Sequence, residues 1–465
     1  MKIIVVGAGF VGLTHAAVSS EYGHDVWACD VDPDRLAAFR SARREAIEGY
    51  VNEPGLADII ADKIDRSLHF VDDLRDVIDG TDAIFLCLPT PSGDNGSADL
   101  SYYFDALGNI APLLAQRRDP RRVVIINKST VPVGTARRLE GFLREHGVRN
   151  FGIASNPEFL PEGEAVARSR HPDRVVVGAD RQEDFEGIRR LYSQFHNHVR
   201  IQYIETTPET AEAIKYVSNT LLLTYISFWN GVGARLAETF PNVHMEDLKR
   251  GVTSDQRIST WGSYVSNGAG GSCFGKDIQS LVHQLGCAGQ NTDLLEAVYH
   301  INEYQKVYLI ERARQEAGYD FSGKTVALLG LAFKKKTNDV RDSSSLSVAQ
   351  GLLEAGARAL QAYDPLAMVE ASQALDPARN PLFARIRYHE SAEEALCGSD
   401  CLFISTDWEE FRGLSGSIER HLAPPALIVD GRRMIPDYQD LLQKGYRYLA
   451  VGSPFLQGDA TTKRS

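Results

Sequence analysis

A short apolar run, Lys2–Val6, leads straight into Gly7-Ala8-Gly9-Phe10-Val11-Gly12, then a helical stretch from Leu13 to about Tyr22, then a second apolar run, Val26–Asp30, that ends in an acid. Strand, glycine turn, helix and strand make one βαβ unit, and that unit commits the start of the chain to a parallel, doubly wound sheet. Three glycines at this spacing mean little alone. Placed between a strand and a helix, with Asp30 arriving 18 residues after Gly12, they form a dinucleotide-binding fingerprint. Gly7 permits the tight turn, Gly9 lets the backbone through Phe10 and Val11 approach a pyrophosphate, and Gly12 lets helix and strand pack closely. The helix start offers unbonded N–H groups to phosphate. Asp30 is suited to accept hydrogen bonds from ribose hydroxyls and to repel a 2′-phosphate, so NAD is expected over NADP. Arg35 pulls the other way, because a guanidinium can meet a phosphate.

Further buried-strand patterns follow at Ala83–Leu88, Val123–Asn127 and Val175–Gly178, with helical segments between. After Ile204 the texture changes: Pro208–Glu238 and Asn291–Ala317 carry long helical patterns with few strand signals between them. A second α/β section opens at Lys324-Thr-Val-Ala-Leu-Leu-Gly330 and continues through Gln361–Asp364, Cys401–Ser405 and Leu427–Asp430. The fold expected is α/β: two Rossmann-like, doubly wound parallel-sheet domains joined by a helical central domain with a long helix. The expected division is a cofactor-binding domain over 1–204, a helical central and dimerisation domain over 205–317, and a ligand-binding α/β domain over 318–465. The polar tail from Gly458 to Ser465 is expected to fray.

The balance of charges, 50 basic against 62 acidic for a net −12, argues against nonspecific polyanion binding and so against nucleic acid as a partner. Six cysteines, Cys29, Cys87, Cys273, Cys287, Cys397 and Cys401, show no paired framework. Cys397 and Cys401 have a metal-site spacing but no second Cys or His pair, so no metal is expected. Free thiols fit a reducing compartment. With no cleavable leader pattern and no apolar run near the ~20 residues that span a bilayer, the expected setting is the cytoplasm, away from membranes.

Four segments carry candidate chemistry. Gly268-Ala-Gly-Gly-Ser-Cys273-Phe-Gly-Lys276-Asp277 sets a cysteine among glycines, where another backbone or a ligand can come close. A thiol becomes a strong nucleophile beside a positive group or a helix N-terminus, and Asp277 could share the helical face of Cys273 and orient a water. The same segment also reads as a glycine-rich loop with an incidental cysteine. Glu212-Ala-Ile-Lys215-Tyr-Val-Ser-Asn219 puts Lys215 and Asn219 on one helix face, a pairing that suits an alcohol becoming a carbonyl, although a lysine on a helix is more often simply solvated. Lys128-Ser-Thr130-Val-Pro-Val-Gly-Thr follows a strand end, where doubly wound sheets place ligand contacts. Ser155-Asn-Pro-Glu158-Phe-Leu-Pro-Glu162-Gly sets two carboxylates four apart, and either of these last two segments also reads as a turn with surface acids.

Taken in series, the fingerprint, KSTVPVGT, SNPEFLPEG, EAIKYVSN, GGSCFGKD, FKKKTNDVRDSSS and DGRR segments resemble the UDP-glucose/GDP-mannose dehydrogenases, from Met1 to about Arg433. The resemblance implies a homodimer or higher homo-oligomer that carries out a four-electron oxidation of a nucleotide sugar with two NAD and one water. SDQRI ahead of GGSCF favours UDP-glucose, converted to UDP-glucuronate for polysaccharide synthesis. It implies Cys273 as nucleophile through a thiohemiacetal and thioester, Lys215 and Asn219 around the reacting oxygen, Asp277 and Thr130 positioning water, and Glu158 assisting thioester hydrolysis. It further implies Glu162 at substrate and nicotinamide, Thr90, Thr130 and Arg341 at the cofactor, and Phe159, Leu160, Tyr264, Gly270, Phe274, Lys334 and Arg432 at the substrate. Arg257 matches an arginine that reaches a neighbouring subunit's sugar nucleotide. The chain departs from the pattern at Pro89, where Asn is frequent, at Ala269, where an aromatic is usual, and at Gly275, where Pro or Gln is common; these bear on loop shape and substrate preference. The alternatives are the same chemistry on GDP-mannose or a UDP-N-acetylhexosamine, a single-step hydroxyacid-type dehydrogenase, and a noncatalytic NAD-sensing scaffold.

Overall fold

The computed structural model describes residues 1–196 and 198–458, and the tail expected to fray lies beyond Gly458, outside them. By contact the chain forms two compact units, Met1–Ser218 with Ser280–Gln290, and Asn219–Gln279 with Asn291–Ser465.

The first unit is built on β1 (Lys2–Val6), β2 (Asp25–Cys29), β3 (Leu68–Val71), β4 (Ala83–Leu86), β5 (Val123–Asn127), β6 (Phe151–Ser155), β7 (Arg174–Ala179) and β8 (Gln202–Thr206). They lie in the order β3-β2-β1-β4-β5-β6-β7-β8, parallel throughout except between β6 and β7. Along β1, Ile3 and Val5 enter one apolar cluster while Ile4 and Val6 enter another. The sheet is therefore buried on both faces, which is why its strands read as unbroken apolar runs. Strand β2 closes at Cys29, so Asp30 stands just past the strand end, beside the fingerprint turn.

The second unit repeats the plan with β9 (Thr325–Leu329), β10 (Ala359–Tyr363), β11 (Ile386–Tyr388), β12 (Cys401–Ile404), β13 (Leu427–Asp430), β14 (Arg447–Ala450) and β15 (Leu456–Gln457). Their order is β11-β10-β9-β12-β13-β14-β15, with only the last pair antiparallel. Two Rossmann-like sheets are present, as expected, each with one antiparallel junction that the sequence did not announce. Strands β3, β6, β8, β11, β14 and β15 are not among those the sequence pattern predicts. They are short, and β8 and β11 are only partly buried, so their apolar signal is weak.

The long helical pattern after Ile204 resolves into a helix Pro208–Phe228, a π-helical turn Trp229–Ala234 and a short helix Arg235–Thr239. Gly233 lies so near the Trp229 ring that a Cβ there would sit 2.7 Å from it. The widened turn carries Asn230, whose Oδ1 accepts the Ser266 N–H at 2.9 Å. The second long pattern is a helix Asp293–Gln315.

One buried side chain fixes several segments of the first unit at once. The Glu212 carboxylate accepts the Gly134 N–H at 2.7 Å, the Ala136 N–H at 2.9 Å and the Ser155 hydroxyl at 3.0 Å. It thereby caps the helix Thr135–Glu145, whose own N-cap, Gly134, has a left-handed backbone and no side chain to offer. Replacing Glu212 with Ala leaves three donors unsatisfied and is expected to destabilise the unit by about 2–4 kcal/mol. Urea unfolding followed by tryptophan fluorescence and circular dichroism measures the loss.

Candidate active site

In the first unit the fingerprint has the geometry its glycines imply. Gly7 has φ +93°, and its N–H donates to the Cys29 carbonyl at 2.8 Å. A Cβ on Gly12 would collide with the Gly7 carbonyl oxygen, whereas a Cβ on Gly9 would meet nothing within 4 Å. The turn is thus closed on its packing side and open at Gly9. The helix Phe10–Glu21 starts there with no side-chain cap, leaving its first N–H groups turned to that opening. These features fit a dinucleotide pyrophosphate. Asp30 is buried; its carboxylate accepts the Ala8 N–H at 2.7 Å and pairs with Arg35 at 3.1 Å. Arg35 is therefore engaged by the acid that disfavours a 2′-phosphate.

Three motif segments meet at the C-terminal ends of β4, β5 and β6. Thr90 donates from its hydroxyl to the Thr130 carbonyl at 2.9 Å. Glu158 accepts the Leu160 N–H at 2.5 Å and the Lys215 ammonium at 2.8 Å, with both side chains almost wholly buried. Burial pushes the Glu158 carboxyl upward, but the charge and hydrogen bond of Lys215 outweigh it and hold the group below its usual value. The Lys215 ammonium also lies 5.4 Å from the Phe159 ring centroid. Lys215 is thus a buried charged group and not a solvated one. Glu162 is half-buried, and the adjoining Gly163 N–H donates to the buried Glu53 carboxylate at 2.7 Å.

Beneath these residues lies a polar cluster. Lys128 donates to the Asn156 side-chain oxygen at 2.9 Å, and the Tyr192 hydroxyl donates to the same oxygen at 2.6 Å. Burial pushes the Lys128 ammonium down to about 8. Asn156 and Tyr192 were not singled out in the sequence; buried polar groups that serve other polar groups leave no local pattern.

In the second unit, Cys273 is exposed and directly precedes the helix Phe274–Cys287, its carbonyl accepting the Asp277 N–H at 2.9 Å. The cysteine stands at a helix N-terminus, where the positive end of the dipole favours a thiolate. Cys87 and Cys401, by contrast, are buried, and burial pushes both thiols up to about 12. Asp277 is buried one turn after Cys273; one oxygen takes the Asn219 amide at 2.6 Å and the other the Lys276 ammonium at 2.7 Å. Lys276 is therefore the partner of Asp277. Lys215 and Asn219 stand one turn apart on the helix Pro208–Phe228.

The remaining positions expected to contact substrate divide into two groups. Arg432 is half-buried; its Nε donates to the Ser405 carbonyl at 2.8 Å, and Tyr264 lies within its electrostatic reach. Lys334 lies over the Phe333 ring at 5.5 Å, and a Cβ on Gly270 would come within 3.1 Å of Phe333. Arg257 and Arg341 are exposed, and each pairs with a local acid, Asp255 and Asp339 respectively. Among the described residues no group of three or more His, Cys, Asp or Glu side chains is arranged to hold a metal ion, and no helix is long and apolar enough to cross a membrane.

The first unit, with its doubly wound sheet and open pyrophosphate turn, has the build of a nicotinamide-dinucleotide-dependent oxidoreductase. The family comparisons give the class its particular form. Residues 1–196 match the NAD binding domain of the UDP-glucose/GDP-mannose dehydrogenase family, residues 209–304 its central domain and residues 327–437 its UDP binding domain. A UDP-glucose 6-dehydrogenase of Pseudomonas aeruginosa is 36% identical over 98% of both chains. One from Bacillus subtilis is 34% identical over 98% of this chain and 94% of its own. A solved UDP-glucose dehydrogenase from Pyrobaculum islandicum superposes with a TM-score of 0.84 at 30% identity, covering 97% of this chain and 98% of its own. The chain belongs to the UDP-glucose/GDP-mannose dehydrogenase family and is an NAD-dependent nucleotide-sugar dehydrogenase.

His15, on the fingerprint helix, yields a test of this unit. It is buried against Phe85 with its Nε2 unbonded, and burial, reinforced by the charges of Lys128 and His24, holds its pKa well below 6.5. The folded state keeps the ring neutral while the unfolded chain takes up a proton below pH 6.5, so this stability is present above pH 6.5 and is lost as pH falls. A His15→Phe variant is expected to remove one proton from that dependence, at most about 1.4 kcal/mol per pH unit. Urea unfolding at pH 5, 6 and 7 measures the slope.

Proposed function

We propose that the protein oxidises UDP-glucose to UDP-glucuronate, with Cys273 as a covalent nucleophile. The observation that carries this reading is the exposed Cys273 thiol at the start of the helix Phe274–Cys287, with Asp277 held one turn below between Asn219 and Lys276. The full-length relatives named as UDP-glucose 6-dehydrogenases and the match to a UDP binding domain favour this substrate over GDP-mannose.

When bound, NAD accepts a hydride from the sugar C6 in each of two oxidations. In the first, the C6 alcohol loses a proton and becomes an aldehyde; the Lys215 ammonium and Asn219 amide stabilise the developing alkoxide, an effect for comparable donors of ~3–4 kcal/mol. The Cys273 thiolate then adds to the carbonyl carbon, forming a C–S bond while the oxygen takes a proton, to give a thiohemiacetal. Loss of the second hydride from C6, with the hydroxyl proton released, converts this to a thioester. Water, positioned by Asp277 and Thr130, attacks the thioester carbonyl with Glu158 handling its proton; the C–S bond breaks and the thiolate is restored. A carbonyl has no hydride to give up until something adds to it, which is the physical reason for a nucleophile.

The other assignments follow the same reading. Gly7, Gly9, Phe10, Val11, Gly12, Asp30, Thr90 and Arg341 serve the cofactor. Phe159, Leu160, Glu162, Tyr264, Gly270, Phe274, Lys334 and Arg432 serve the sugar nucleotide, and Arg257 serves that of a second subunit. The functional division runs 1–204 for cofactor, 205–317 for assembly and 318–465 for substrate. Assembly as a homodimer or larger oligomer is supported by exposed Leu221, Phe228, Val232 and Leu236, which recur at seven- and four-residue steps along one helical stretch.

Purified protein given limiting UDP-glucose and excess NAD is expected to form two NADH per sugar; one NADH per sugar marks a single-step dehydrogenase and overturns the reading. Cys273→Ala is expected to abolish acid formation, and Cys273→Ser to accumulate a sugar ester visible by intact mass spectrometry. Full acid production by Cys273→Ala refutes the thioester route. Light scattering of a Leu221→Glu, Phe228→Glu double variant is expected to show a smaller assembly than the parent; an unchanged mass rules out this surface.

A further inference from the structure

The glycine segment that precedes Cys273 is held by side chains of the helix Asp293–Gln315. Asn302, buried on the helix Asp293–Gln315, grips Ala269 from both sides: its Oδ1 accepts the Ala269 N–H at 2.8 Å and its Nδ2 donates to the Ala269 carbonyl at 2.9 Å. One turn on, buried Gln305 donates to the Ser266 carbonyl at 2.6 Å and accepts from Arg235 at 2.7 Å. Lys306, 2% exposed, reaches Asp342 at 2.5 Å and Glu303 at 2.8 Å. Asp342 has φ +52°, a left-handed conformation that a non-glycine residue adopts at some cost, and the Lys306 contact offsets that cost. Beside it, the Arg341 carbonyl accepts the Gly271 N–H at 3.1 Å, two residues before the nucleophile.

The glycines have a packing role here. A Cβ on Gly268 would come within 3.2 Å of the Asn302 carbonyl and Lys306 Cγ, and one on Gly270 within 2.7 Å of the Asp342 carbonyl. The segment lies flush against the long helix and the 333–342 loop because it lacks side chains. Glycine carries the largest entropy loss on ordering of any residue, so such a segment presents its cysteine in one place only if its backbone groups are bound.

We propose that Asn302 and Lys306 are positioning residues for the nucleophile, the first clamping Ala269 and the second fixing the loop that holds Gly271. The proposal rests on Cys273 being the nucleophile. It makes a specific demand: losing the clamp impairs the half-reaction that needs the thiol and spares the one that does not.

The 6-aldehyde of UDP-glucose separates the two. Its oxidation with NAD requires thiol addition; its reduction with NADH to the alcohol does not. Asn302→Ala is expected to slow aldehyde oxidation about 10- to 100-fold while reduction stays within about twofold of the parent. Asn302→Asp keeps the acceptor for the Ala269 N–H and loses the donor, so an intermediate loss is expected. Lys306→Met should lose oxidation selectively and Lys306→Arg retain it, and these two carry the test if the Asn302 variants do not fold. Oxidation at the parental rate in folded variants overturns the proposal, as does an equal fall in both directions. Cys273→Ala is the control: if it oxidises the aldehyde fully, the nucleophile assignment and the clamp fall together. If it fails to oxidise while the Asn302 and Lys306 variants succeed, only the clamp falls.

Discussion

Several loops at the C-terminal ends of the parallel strands are held by a buried carboxylate that accepts backbone N–H groups. Glu212 does this for the segments containing Thr130 and Glu158, and Asp30 for the fingerprint turn through Ala8. In the second unit Asp364 accepts from Leu331, Ala332, Leu366, Ala367 and the Trp408 indole. Asp430 accepts from Arg432, Ile435 and the Tyr448 hydroxyl. Charge-assisted bonds of this kind are stronger than neutral ones, and in a buried site they order a loop without lengthening it. Within each unit the sheet ends and the short loops beyond them therefore act as a scaffold.

That scaffold gives similar side chains different chemistry. Cys87 and Cys401 lie in apolar cores that penalise a thiolate, while Cys273 is exposed at a helix start that favours one. Lysines divide likewise. Lys215 is paired with Glu158, and Lys306 with two acids, whereas Lys128 meets a neutral amide and burial lowers its pKa. Partner and burial, more than residue type, set which groups can donate, accept or attack.

Much of the candidate site was legible along the chain because its parts are local. The fingerprint, the Lys215/Asn219 pair one helical turn apart and the Cys273/Asp277 step depend on spacings of a few residues, which sequence displays directly. Asn302, Gln305 and Lys306 also sit at helical spacing, yet the bonds that tie them to the glycine segment and to Asp342 span 33 to 39 residues. Nothing nearby distinguishes them from the polar face of a solvated helix. Glu212 was read within its motif, but its bonds to Gly134, Ala136 and Ser155 span 57 to 78 residues. Short strands such as β8 and β11, with few buried positions, were missed for lack of an apolar signal.

The sequence by itself determined the two largely parallel sheets, the NAD fingerprint and the order of the candidate segments, since each follows from apolar periodicity or from spacing within a turn or helix. Only the tertiary structure decided which polar side chains are buried, which acid holds which loop, and that the glycines before Cys273 pack against a distant helix. Those relations join residues far apart along the chain, and burial and hydrogen-bond partnership exist only once the chain has closed on itself.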